Sequence, residues 1–208
     1  MSNATESPDE STLSVHDAPI MKSATTIAQR CICLELLAQR LWLETDLDDP
    51  VAERDEARAL WLSRVGDLEI DAELLTEERA FLERNVGDLT DDDVDDVHGR
   101  ASSASVLLWV LGRSAKRPLF ATEEELAETL AKHGLLGDGS IAGAKAEVEK
   151  AASHSEKEIA EALSTYRRTR GKAKTTEEPE KIFAEVAAHA LTWVLDPEMS
   201  FDDDISLD

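Results

Sequence analysis

An all-α fold, one compact domain of about six or seven helices, is what this chain predicts. Three observations carry that reading. The composition is rich in Ala, Leu and Glu, the strong helix formers, with only nine Gly and six Pro. Apolar residues recur three and four apart through most of the chain, the spacing of one helix face. No stretch alternates with period two for long enough to require a strand. At 208 residues the chain can bury one real core.

The elements follow in order. Residues 1–22 are polar and turn-rich, and read as a disordered arm ahead of a helical domain over 23–200. The first helix spans Ala24 to Thr45, with Ile27, Cys31, Leu34, Ala38 and Leu41 on one face. Asp49-Pro50 opens a second, carrying Leu60, Trp61 and Val65 and stopping at Gly66. Thr76 caps a short helix with Phe81 and Leu82. Thr90 starts a central helix that reaches about Gly112, and Thr122 with Glu125 forms a capping box for the next, which ends at His133-Gly134. Residues 140–169 read as continuously helical, and a basic loop of Arg167, Arg168, Arg170, Lys172 and Lys174 follows. Thr176 and Pro179 open a last helix to about Leu195, before an acidic tail over 201–208.

Charge is the extreme property: 45 acidic against 22 basic residues, a net −23. Such a field repels nucleic acid and anionic membrane and attracts basic partners. The start lacks a secretory signal's basic and apolar regions, and no run reaches the ~18 apolar residues a membrane span needs. Cys31 and Cys33 lie two apart on a helix, project to different sides, and read as buried thiols of a reducing cytosol.

Motifs with chemistry are few. Six aspartates fall between Asp88 and Asp96, but a calcium loop starting at Asp91 would have Asp96 where Gly is needed and Ser102 where Glu is needed. They read as helix-start acids. His16, His98, His133, His154 and His189 show no zinc spacing, and His189 reads as a satisfied core histidine. There is no nucleophile elbow; Ser102, Ser103 and Ser105 read as small residues that let a helix approach. Neither a metal nor a cofactor is expected.

Several segments carry a further signal as a set: Arg30, Trp61-Leu62, Leu75-Thr76 with Glu78-Arg79-Ala80-Phe81-Leu82, Arg100, Leu107-Leu108-Trp109-Val110-Leu111-Gly112, Tyr166-Arg167, Ala190-Leu191-Thr192-Trp193 and Phe201-Asp202. Together they resemble the bacterial domain of unknown function 4272 family, in pieces from about Ile27 to Asp208. Gly99 and Ser102 depart from that family's usual Trp before, and acid two after, the central arginine. The resemblance implies the helical fold and supplies no activity, substrate or cofactor.

The functional expectation is a non-enzymatic cytoplasmic protein, an acidic interaction module for a basic protein partner, possible in an immunity-like form, with neither nucleic acid nor membrane as partner. Its contact residues would be Asp203, Asp204, Ile205 and Leu207 in the tail. The alternative is an enzyme, or a small-molecule or anion binder, with a site around Arg100, Trp109 and Trp193, where an arginine beside aromatics could orient a carboxylate or phosphate.

Overall fold

A computed structural model describes residues 21–45, 48–119, 122–137, 139–172 and 179–203. Among these the chain is all helical, with eight helices rather than six or seven: α1 (Ala24–Thr45), α2 (Val51–Leu68), α3 (Thr76–Glu83), α4 (Asp91–Val110), α5 (Glu123–His133), α6 (Ile141–Glu149), α7 (Glu156–Lys172) and α8 (Pro179–Leu195). The extra helix comes from a break in the segment expected to be continuous over 140–169. Ser155 ends that continuity: its backbone N–H and hydroxyl both donate to Glu158, starting α7 afresh. The turn before it is tied to the core by the His154 N–H, which donates to Val110 O at 2.8 Å.

α1 is the centre of the molecule. Its expected apolar face is buried, but so are Ala28, Ile32, Cys33, Leu36 and Leu37 on its other sides. A helix with apolar residues on every side belongs inside, and here it also carries Arg30, Glu35 and Arg40 into the core. Its main neighbour is α4, while α7 and α8 form a second pair that meets the first through α4. The apolar half of α4, Ala101 to Val110, is buried at every position. Ser102, Ser103 and Ser105 share that burial.

Helix ends match the sequence where a side chain caps them. Thr90 and Asp93, and Thr122 and Glu125, form reciprocal capping boxes. Two ends differ. α2 runs past Gly66 to Leu68 and closes on Glu69, which takes a left-handed φ of 59°. Glu69 is held there by Gln29, which donates to its carbonyl, and by Lys145 at 2.6 Å from its carboxylate. At α3 the residue before the helix is Leu75, not Thr76, and the Leu75 N–H is satisfied by Glu78 at 3.1 Å. Several C-terminal carbonyls are met by arginines instead of by a glycine turn. Arg54 donates to Leu43 O and Glu44 O, Arg58 to Leu82 O and Glu83 O, and Arg40 to Phe81 O, Arg84 O and Asn85 O.

Arg167, Arg168 and Arg170 lie on α7 and not in a loop. Of the expected arm, residues 1–20 lie outside the described residues, and so do Thr176, Lys174 and residues 204–208. Lys22 is docked: its N–H donates to Val194 O at 2.9 Å and its ammonium to Pro197 O at 3.0 Å. No helix among the described residues is long and apolar enough to cross a membrane.

Candidate functional site

The polar half of α4 faces α8 across a groove of about 670 Å³. Helix α4 supplies Asp95, Asp96, Gly99, Arg100 and Ser103; α8 supplies Glu185, Val186 and His189. Glu77 joins them from α3, and Phe201 to Asp203 from the C-terminal turn. This grouping needs the tertiary fold, because its members are spread over more than half the chain.

Phe201 forms the apolar end of the groove and is 8% exposed. Its ring meets Trp193 at 5.2 Å and His189 at 5.1 Å, both edge-to-face. The His189 Nε2–H donates to Phe201 O at 2.8 Å, which pins the turn to α8. Behind the ring lies Arg30, its guanidinium carbon 3.9 Å from the ring centroid, a close cation–π contact. Arg30 and Glu78 are both fully buried, and the guanidinium meets the carboxylate through two nitrogens, with Nη1 to Oε2 at 2.6 Å. Nη1 also donates to Glu73 O at 2.8 Å.

Arg100 links this buried pair to the surface. Its Nη1 lies 3.9 Å from Glu78, Nη2 donates to Glu77 at 2.8 Å, and Nε donates to Asp96 at 3.1 Å. The acid that the resemblance places two residues after the arginine is absent, since Ser102 turns its hydroxyl to His98 O. Arg100 pairs instead with Glu77 and Asp96. Gly99 leaves open space beside the arginine, for a Cβ there would meet nothing within 4 Å.

Six carboxylates therefore line a groove whose one arginine two of them already hold. Glu185 also pairs with Arg170 at 3.0 Å. Asp202 is held below the usual aspartate range, first by the Ser200 hydroxyl and further by the charges of Arg100 and Arg30. The groove stays strongly negative, and Arg100 faces acids before it could face an added anion.

The residues expected to form a site do not all meet. Arg100 lines the groove. Trp193 lies beneath it, against Phe201 and under the Lys22 ammonium at 5.0 Å. Trp109 follows Arg100 on α4 by nine residues, which is half a turn out of phase and roughly 13 Å along the axis. It stacks instead on His154 at 4.9 Å. Asp203 lines the groove rim, where its carboxylate accepts from the Ser200 N–H at 2.7 Å. Asp204, Ile205 and Leu207 lie outside the described residues. Periodicity alone would have found Arg30, which falls three residues after Ile27 and four before Leu34, on the apolar face. Nothing local announces Glu77 or Glu185 as members of the groove.

The family model described as Domain of unknown function (DUF4272) matches residues 6–204, nearly the whole chain. The chain belongs to that family. Comparison with curated proteins and with solved structures gives no match. Family membership fits the spread of the groove: Arg30, Glu78, Arg100, His189 and Phe201 all fall within the matched span.

Proposed function

We propose that this DUF4272 protein is a non-enzymatic, cytoplasmic interaction module whose α4–α8 groove takes a basic segment of a protein partner. The observation that carries the reading is the charge of the groove: Glu77, Asp95, Asp96, Glu185, Asp202 and Asp203 converge on it, with Arg100 already engaged. A lysine or arginine side chain entering from a partner meets several carboxylates at once and has the Phe201 end for its alkyl stem. The net −23 of the chain supports fast encounter with such a partner.

Titration of a labelled Lys/Arg-rich peptide by fluorescence anisotropy tests the proposal, at about 50 mM and about 300 mM NaCl, on either side of physiological screening. Asp95→Asn/Asp202→Asn/Asp203→Asn should weaken binding by about tenfold or more, whereas Glu123→Gln/Glu124→Gln/Glu156→Gln, which removes equal charge elsewhere, should change it little. Equal losses from both triple variants would mean that only the overall field binds the peptide, and the groove would have no special role.

A further inference from the structure

A second groove has the opposite character. It lies between the loop after α4 and one face of α5, encloses about 500 Å³, and is lined by Lys116, Arg117, Lys132 and His133 on the basic side. Glu125 and Glu128 line it as well, on the same face of α5 as Lys132 but two turns and one turn nearer the helix start. Acids outnumber bases two to one in this chain, 45 to 22. Even so, none of Lys116, Arg117 and Lys132 comes within ion-pair distance of a carboxylate among the described residues. Cations that stay unpaired in such an acid excess, and that gather in one concavity, leave an anion's place open.

The basic side is also held in position. The Tyr166 hydroxyl donates to Pro118 O, the Arg117 guanidinium lies 5.4 Å from the Tyr166 ring centroid, and the Ser114 hydroxyl donates to Lys116 O at 2.9 Å. Arg117 Nε is shielded from solvent with no hydrogen-bond partner, a donor the fold leaves unused. Lys132 and His133 complement the negative end of α5. That role does not involve Lys116 and Arg117, which approach from the loop.

We infer that this groove binds a small phosphomonoester carrying a hydroxyl or amino group. Lys116, Arg117 and Lys132 hold the phosphate dianion, for which several convergent cations are a better match than for a single carboxylate. Glu128, one turn along α5 from Lys132, accepts from the ligand's hydroxyl or ammonium group, and with Glu125 beyond it repels longer polyanions such as nucleic acid. The volume suits a ligand of that size. The site is separate from the α4–α8 groove and shares no lining residue with it.

Phosphorus NMR titration of the full chain with inorganic phosphate and with O-phosphoethanolamine, at constant ionic strength, tests the inference. Both should saturate below about 10 mM, with phosphoethanolamine the tighter. Lys132→Gln, an exposed change that leaves the fold intact by circular dichroism, should weaken both by about threefold to tenfold, and Arg117→Gln/Lys132→Gln further. Glu128→Gln should erase the advantage of phosphoethanolamine over phosphate and leave phosphate binding in place. Arg167→Gln/Arg168→Gln, basic residues outside the groove, should change neither. Failure to saturate, or equal losses from the groove and control variants, would overturn the assignment.

Discussion

Two carboxylates are buried against α1, and they are held in different ways. Glu78 enters from α3 and meets the full positive charge of Arg30 through two guanidinium nitrogens. Glu35 rises from α1 itself and is hydrogen-bonded only by dipoles, the Leu135 N–H at 2.8 Å, the Leu136 N–H at 3.0 Å and the Cys31 thiol at 3.6 Å, with the Arg113 charge acting from farther off. Burial pushes the Glu35 carboxyl up, and the two backbone donors offset that only in part. Glu78 thus has a formal charge as its partner, whereas Glu35 keeps its proton to higher pH than an exposed glutamate does. The first arrangement stands behind the α4–α8 groove. The second fastens the turn after α5 to the core, next to the basic groove, where Gly134 is so close that a Cβ would sit 2.9 Å from Glu35 Oε2.

Breaking the charged arrangement should have the largest effect. Glu78→Ala strands Arg30 in the core and removes the acceptor of the Leu75 N–H, so urea denaturation should show a loss of about 3–5 kcal/mol. Arg30→Met/Glu78→Leu, which removes both charges together, should recover more than half of that loss. A single variant within about 1 kcal/mol of wild type would show that the pair is hydrated rather than buried.

Phe201→Ala removes the ring that covers Arg30 and should lower stability by about 2–4 kcal/mol. Calorimetry checks this, and an unchanged Tm would mean that the C-terminal turn does not dock. Glu35→Ala leaves two backbone N–H groups without an acceptor and should cost about 2–3 kcal/mol, less than Glu78→Ala because no bare charge remains.

The pH dependence sharpens the contrast. Glu35 keeps its proton to higher pH in the folded chain than in the unfolded one, so its contribution favours folding at low pH and weakens as pH rises above the ordinary glutamate value of 4.5. Asp93, held below the aspartate range by Arg84 and by the Thr90 cap, acts in the opposite sense: its contribution is present above 3.8 and is lost as pH falls. The stability difference between wild type and Glu35→Gln, followed upward from pH 4.5, should therefore drift in favour of the variant. A flat difference would mean that Glu35 ionises as a solvent-exposed acid does. The smallest effect belongs to Arg100→Ala, whose partly exposed pairs should contribute only about 0.2–1 kcal/mol. Its thermal shift should be slight even where peptide binding at the groove changes.

Much of the fold was legible in the chain itself. The limits of α1, the boxes at Thr90 and Thr122, and the last helix from Pro179 follow from local rules: apolar spacing, short polar caps and proline's fixed φ. The −23 charge likewise needs no coordinates. Local rules failed where a distant group replaced the local signal. α2 outruns Gly66 because Gln29 and Lys145 hold Glu69 in a left-handed turn, and α3 starts without a hydroxyl cap, keeping only the half of a capping box in which Glu78 reaches back to the Leu75 N–H. The grooves belong to that second class. Arg100 and Trp109 are close in sequence but half a helical turn apart in phase, so they face different neighbours. Arg30, Glu78, His189 and Phe201 are far apart in sequence, and only the packing of α1, α3, α4 and α8 around one buried charge pair brings them together.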